Sequence, residues 1–166
     1  MQAKINKMQP EKLQHTTSTP YDKADTFSSM LYLSDFGVTL QNMSGKFVLD
    51  AGCGTDVKFL RYCLANNINI VGMDILPPED EENEQIKNHF IQGDITKPPF
   101  VQNKFDLILV RAVRTLSKDL SVAEIKNLTG LLKHGGEIKI APYFPETNPS
   151  HKKLIDQIKK EFGENM

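Results

Sequence analysis

Residues 46–56 constrain this chain more than any other stretch: Lys46-Phe47-Val48-Leu49-Asp50-Ala51-Gly52-Cys53-Gly54-Thr55-Asp56. Three apolar residues run into a carboxylate, and two glycines follow at alternate positions. A helix-compatible segment from Val57 comes next. The order predicts a strand, a tight glycine turn and a helix. In that arrangement the backbone can approach a ligand closely at a helix N-terminus. A Cβ at either glycine would obstruct the approach and penalise left-handed backbone angles. Asp50 ends the strand on the edge where open α/β sheets bind ligands.

The rest of the chain supports one ordinary globular domain. Its 166 residues suffice for a real core, and 39% hydrophobic with 25% charged residues is a soluble-domain composition. A formal net charge of −1 gives no global attraction to nucleic acid or an anionic membrane. No apolar run approaches the roughly 18 residues of a membrane span. Met1 to Pro20 has no apolar signal-peptide core. Cys53 and Cys63 are a poor basis for a disulfide framework, so a reducing cytoplasm is the expected compartment. No metal site is expected.

Residues 1–20 are polar, with Pro10, Pro20 and the cluster Thr16-Thr17-Ser18-Thr19, and read as a flexible tail or a lid that orders over a ligand. Residues 21–166 then form one domain. Phe27, Met30, Leu31 and Phe36 are expected to make the apolar face of one or two helices before the first strand. Strands are expected at Phe47–Asp50, Ile68–Asp74, His89–Gln92, Phe105–Val110 and Glu137–Ala141. Helices are expected at Val57–Asn66 and at Val122–Lys133, the latter ended by Gly135-Gly136. A last amphipathic helix spans His151–Phe162, with Leu154, Ile155, Ile158 and Phe162 on one side. This alternation predicts an α/β fold: a Rossmann-like three-layer α/β/α sandwich with a mainly parallel sheet of five strands.

Four features then line the ligand-binding edge of the sheet. They are the glycine turn; Asp74, about 20 residues on and suited to ribose hydroxyls; Gly93-Asp94-Ile95, suited to a purine edge; and Val110-Arg111 beside the switch point. Singly, each is an ordinary turn or loop-entry residue. Together, in this order, they point to a ligand bearing ribose and adenine.

In these residues the chain resembles the class I S-adenosylmethionine-dependent methyltransferases. Val48-Leu49-Asp50-Ala51-Gly52-Cys53-Gly54-Thr55 looks like the first motif of that family, and Val71-Gly72-Met73-Asp74-Ile75 like the second. Gln92-Gly93-Asp94-Ile95 is similar to the third motif and Phe105-Asp106-Leu107-Ile108 to the fourth. Leu131-Leu132-Lys133-His134-Gly135-Gly136 resembles the Leu-Lys-Pro-Gly-Gly turn of the family, with His134 in the proline position. The resemblance implies that S-adenosyl-L-methionine is the cofactor. Asp50, Ala51 and the Gly52, Cys53 and Gly54 backbone would hold its methionine moiety. Asp74 would bind the ribose, with Ile75 packing on the adenine. Asp94 after Gly93 would meet the adenine amino group, and the Ile95 N–H a ring nitrogen. The backbone of Val110 and Arg111 would lie near the ammonium. Cys53 reads as a small buried turn residue and Asp106 as structural.

Two features depart from that pattern. Asp56 stands where the family usually has a third glycine; it could N-cap the following helix, or crowd the nucleoside and repel the cofactor carboxylate. After the fifth strand only a helix is expected, without the usual antiparallel pair. The alternation Glu137-Ile138-Lys139-Ile140 suits a sheet edge, and a second copy covering it, as a homodimer, is one expectation. The acceptor side lacks an Asn-Pro-Pro-Tyr type sequence; Arg111-Ala112-Val113-Arg114-Thr115-Leu116 resembles the variable region of small-molecule methyltransferases. Arg111 and Arg114 could bind an anionic acceptor or be solvated, and Tyr21, Tyr143 and His151 could line its pocket. No residue is singled out as catalytic. The expected partner is a small-molecule methyl acceptor rather than a membrane or nucleic acid, since Lys152, Lys153, Lys159 and Lys160 fit a solvated helix face. The competing readings are a non-catalytic S-adenosylmethionine-binding module and a nicotinamide-dependent oxidoreductase, whose fingerprint would want glycine at Val57.

Overall fold

A computed structural model describes residues 20–80, 82–111, 120–141, 146 and 149–162. The elements run α1 (Pro20–Phe36), α2 (Leu40–Met43), β1 (Phe47–Ala51), α3 (Lys58–Ala65), β2 (Asn69–Asp74), α4 (Glu84–His89), β3 (Phe90–Gln92), β4 (Phe105–Arg111), α5 (Val122–Thr129), β5 (Leu132–Ala141) and α6 (Pro149–Phe162). The sheet order is β3-β2-β1-β4-β5, and every pairing is parallel. The chain winds one way from β1 to β3, then crosses back over β1 to place β4. The switch point therefore lies between the carboxyl ends of β1 and β4, where a crevice opens in sheets of this kind.

The strand sequences explain the layering. Side chains alternate across a strand, so Val48 joins one core and Leu49 the other. The first core gathers Tyr32, Leu33 and Phe36 of α1, Met43 of α2 and Phe59, Leu60 and Cys63 of α3 against Ile70, Leu107 and Leu109. The second gathers Ile125 and Leu128 of α5 and Leu154 of α6 against Ala51, Ile108 and Val110. Both faces are covered, giving the expected α/β/α sandwich. No described helix is long and apolar enough to cross a membrane.

Local chemistry sets several ends. The Ser121 hydroxyl accepts from the Glu124 N–H at 3.3 Å and the Glu124 carboxylate accepts from the Ser121 N–H, a capping box that starts α5. The Asn83 side-chain oxygen accepts from the Gln85 and Ile86 N–H groups and starts α4. Gly72 is needed for packing: a Cβ there would lie 2.9 Å from the Cys53 sulfur and 3.1 Å from Leu60.

Four sequence expectations need correcting. Phe27, Met30 and Leu31 are exposed at 66%, 57% and 48%, whereas α1 buries Ser29, Tyr32, Leu33 and Phe36. That i, i+3, i+4, i+7 set is the face one side of a helix presents. Second, α5 stops at Thr129 rather than Lys133. Gly130 caps it, and the Leu131 carbonyl accepts from the Lys104 and Phe105 N–H groups, turning the chain into β5 at Leu132 rather than Glu137. Lys133 to Gly136 form a bulge opposite the Phe105/Leu107 step. Gly135 has φ +78°, and a Cβ on Gly136 would lie 3.1 Å from the Phe105 carbonyl, so both glycines build the bulge. Third, Asp56 is not the N-cap of α3. Val57 holds that place at φ +46°, and the Asp56 carboxylate reaches the Lys58 N–H only at 3.5 Å. Fourth, Leu154 is the buried anchor of α6, with Ile158 and Phe162 beside it, while Ile155 is half-buried and lies outside that cluster.

The remaining differences are shifts of one or two residues at element ends. Residues 1–19, Arg114 and Tyr143 lie outside the described residues, as do the side chains of Tyr21 and His151. Asp106 proves structural: it accepts from the Phe47 N–H at 2.8 Å and from Lys133, which holds its carboxyl below the usual range.

Candidate functional site

The parallel strands bring the four singled-out segments to one edge of the sheet. Ala51 pairs with Met73 and Val110, and Asp74 with Gln92. The glycine turn after β1 is pinned to the end of β2. Gly52 and Cys53 both donate to the Met73 carbonyl, at 2.7 and 3.2 Å, and Gly54 donates to Asp74 Oδ2 at 2.9 Å. Gly52 and Gly54 have φ +80° and +77°, the left-handed region that favours glycine. Asp74 also accepts from the Leu76 N–H through Oδ1, at 3.1 Å. The Gly93 N–H donates to the Asp74 carbonyl at 2.8 Å, and the Gln92 amide donates to the Ile75 carbonyl at 2.9 Å. Turn, Asp74 and Gly93 thus form one bonded unit.

This bonding decides what the turn can hold. Its three N–H groups are taken up by β2, so none is left to bind a ligand anion. A pyrophosphate needs backbone N–H donors at the helix start. Here the Asp56 carboxylate also sits over that helix start, 3.6 Å from where a Gly54 Cβ would be. Both features disfavour a dinucleotide and suit a ligand with a cationic group.

Asp50 is fully buried. Its Oδ1 accepts a bond from the Tyr32 hydroxyl, while Oδ2 is buried without a partner among the described residues. Burial raises the Asp50 pKa to about 7; the Tyr32 bond opposes that rise and nearby Asp74 adds to it. The Tyr32 hydroxyl is itself pushed well up by burial and by Asp50. The Tyr32 ring stacks on Phe59 at 4.0 Å, with the Arg111 guanidinium 4.9 Å from its centroid. Arg111 pairs with Asp35, Nη2 to Oδ2 at 2.8 Å and Nε to the same oxygen at 2.9 Å. Helix α1 therefore reaches over the β1–β4 switch point through Tyr32 and Asp35, two residues the sequence reading did not single out. No local pattern in α1 singles them out, since Phe27, Met30 and Leu31 on its exposed side are equally apolar.

Removing the Tyr32 hydroxyl tests this contact. Tyr32→Phe leaves the second Asp50 oxygen buried without a donor, and its expected cost is about 1–3 kcal/mol in thermal or denaturant unfolding. The apparent Asp50 pKa should also rise further, because the lost bond is one that lowers it.

The other positions fall as follows. Cys53 is buried in the turn, and burial raises its thiol pKa strongly, as it does for Cys63. Ile75 and its neighbour Leu76 are exposed at 61% and 57%, an apolar ledge beside Asp74. Gly93 is required by packing, since a Cβ there would lie 2.8 Å from the Pro99 ring. Asp94 is exposed and accepts from the Thr96 N–H at 2.8 Å, while the Ile95 side chain is buried in the second core. Val110 is buried in β4. The Arg111 side chain is engaged by α1 rather than open to an acceptor.

A family model described as a methyltransferase domain matches residues 49–140, more than half of the chain. The chain belongs to the class I S-adenosylmethionine-dependent methyltransferases. Solved structures with this methyltransferase fold include a candidate sarcosine dimethylglycine methyltransferase from Galdieria sulphuraria. It is 17% identical, with a TM-score of 0.54 over 82% of this chain and 56% of that one. An S-adenosylmethionine-dependent methyltransferase from Mesorhizobium loti is 18% identical, with a TM-score of 0.50 over 74% of this chain and 55% of that one. A candidate S-adenosylmethionine-dependent methyltransferase from Methanococcus maripaludis is 18% identical, with a TM-score of 0.47 over 91% of this chain and 76% of that one. This chain covers little more than half the length of the first two. A comparison with curated proteins finds no match. S-adenosylmethionine is the cofactor the family implies. A ligand with an ammonium, a sulfonium and a ribose fits an edge whose turn has no free N–H donor and which carries the buried Asp50 oxygen and Asp74.

Proposed function

We propose that this domain binds S-adenosyl-L-methionine along the β1-β2-β3 edge and transfers its methyl group to a small-molecule acceptor. The observation that carries the reading is the buried Oδ2 of Asp50, without a partner among the described residues, beside a glycine turn whose N–H groups are taken up by β2. Asp50 and the Ala51 to Gly54 backbone would hold the amino-acid end, with the Val110-Arg111 backbone on the other side. Asp74 would accept from the ribose hydroxyls while bracing Gly54 and Leu76. Ile75 would pack on the adenine, Asp94 after Gly93 would accept from its amino group and the Ile95 N–H would meet a ring nitrogen. Bound there, the cofactor supplies a methyl group activated on a sulfonium. Beyond that, the chain has to place an acceptor nucleophile in line and exclude water. Proximity and orientation can supply much of the acceleration without a dedicated base.

Several features support a small-molecule acceptor. The segment after β4 carries no Asn-Pro-Pro-Tyr type sequence, and the net charge is −1. The α6 lysines Lys152, Lys153, Lys159 and Lys160 are exposed, as on a solvated face. Buried Cys53 and Cys63, both free, accord with the reducing cytoplasm. The test is a methyl-transfer assay with methyl-labelled S-adenosylmethionine and a panel of amine, hydroxyl, thiol and carboxylate acceptors, expected to label at least one. The second reading is a cofactor-binding module without turnover, favoured by Asp56 at the turn and by the Arg111–Asp35 pair over the switch point. Cofactor binding without transfer to any acceptor class would select it.

A further inference from the structure

Among the described residues β5 pairs with β4 alone, so its outer edge presents backbone donors and acceptors without a strand beside them. Along this edge runs an open groove of about 720 Å³, lined by Lys133, His134, Gly136, Glu137, Ile138 and Lys139, among others. The register with β4 fixes the faces. Glu137 and Lys139 pair with Leu107 and Leu109, on the α1 side. Ile138 and Ile140 pair with Ile108 and Val110, on the α5 and α6 side. Both isoleucines are only half-buried, unlike the fully buried apolar residues of β1 and β4. An edge of this kind is a template for a further strand.

The charge pattern selects the occupant. We infer that the β5 edge pairs with the β5 edge of a second copy of this chain, antiparallel and centred on Ile138. In a two-fold antiparallel pair, residues directly opposite share a face, so the centre falls on a residue. Centring on Ile138 sets Glu137 opposite Lys139 of the second copy, and the two-fold axis repeats that pair. Ile138 then faces its own counterpart on the apolar side. Shifting the centre to Lys139 would oppose two ammonium groups, and shifting it to Glu137 would oppose two carboxylates. Like charges directly opposite destabilise a strand pair and opposite charges stabilise it. The sequence is thus self-complementary in one register and self-repelling in its neighbours. Glu137 also pairs within its own chain, with Lys46 at 3.5 Å, a contact on the same exposed face. The assembly would join two five-stranded sheets into one and cover both edges.

The test is sedimentation velocity of the whole chain up to about 300 µM, because a contact of this size belongs to the small, weak class of interfaces. The wild type is expected to dimerise reversibly. Glu137→Lys and Lys139→Glu, separately, should each weaken association about tenfold or more, since each places like charges opposite twice. The double reversal restores opposite charges in the same register and should recover the affinity. Lys139→Glu does not remove the intrachain Lys46 pair, which separates that pair from the interface, and circular dichroism checks that each variant folds. A monomer at every concentration would overturn the proposal. So would a dimer indifferent to both single reversals, or a double variant no better than the singles.

Discussion

Replacing Asp50 by asparagine is expected to remove a large pH dependence from the stability of this domain and to weaken the cofactor. The buried carboxyl titrates near 7 in the folded state against a reference of 3.8, chiefly because burial disfavours its charged form. The sign follows from proton linkage. A raised acid binds its proton more tightly when folded, so it contributes stability fully below its unfolded pKa and loses that stability as pH rises through the folded value. The loss falls between about pH 4 and pH 7. At 1.36 kcal/mol per unit it amounts to about 4 kcal/mol, as an order of magnitude. Asparagine keeps the shape and an acceptor for Tyr32 but does not titrate. Unfolding free energies of wild type and Asp50→Asn, measured at both ends of that window, should therefore diverge: the wild type loses stability relative to the variant as pH rises. The same change removes the charge proposed to face the cofactor ammonium. A charge-assisted bond contributes about 1.5–3 kcal/mol, so the variant should bind S-adenosylmethionine about tenfold to a hundredfold more weakly. A stability difference that does not change with pH would show that Asp50 is not buried as an acid.

The second large effect is expected at Asp74, which has two duties. Its carboxylate accepts from Gly54 and Leu76 N–H groups, and it is proposed to accept from the ribose. Asp74→Ala should lower cofactor affinity more than tenfold and also cost about 1–3 kcal/mol of stability, because the Gly54 donor is left without its acceptor. Asp74→Asn separates the duties: its one amide oxygen can still accept from the Gly54 N–H, while the exposed Leu76 N–H turns to solvent, so part of the stability should return while the charge facing the ribose does not. Calorimetric titration and thermal unfolding of both variants read the two effects independently. Full affinity in Asp74→Ala would remove the ribose assignment.

The parts of the molecule legible in the sequence are those governed by local pattern. Each apolar run bounded by Gly, Pro or charged residues, such as Val48-Leu49 and Leu107-Ile108-Leu109, became a strand. The alternation with helices, and hence the parallel sheet, followed from chain connectivity. The clustering of the glycine turn, Asp74 and Gly93-Asp94 followed from strand direction. What escaped depends on contacts distant in sequence. Tyr32 finds Asp50 only once α1 lies over α3, and no periodicity marks which side of α1 turns inward: Phe27, Met30 and Leu31 are as apolar as the residues that do. The Lys133-His134-Gly135-Gly136 stretch looks like a helix end, yet the glycines serve a bulge dictated by the β4 carbonyls. Asp56 is a good capping residue by type, but Val57 takes the capping backbone, with its side chain buried in the first core. The dual use of Asp74 needed the turn geometry.

The central claim is that the β1-β2 edge is built for S-adenosylmethionine rather than for a dinucleotide. Its most direct test is calorimetric titration of the purified chain with S-adenosylmethionine and S-adenosylhomocysteine, with NAD as control. The expected result is saturable binding of the first two and none of NAD. Binding of NAD alone, or of none of the three, would contradict it.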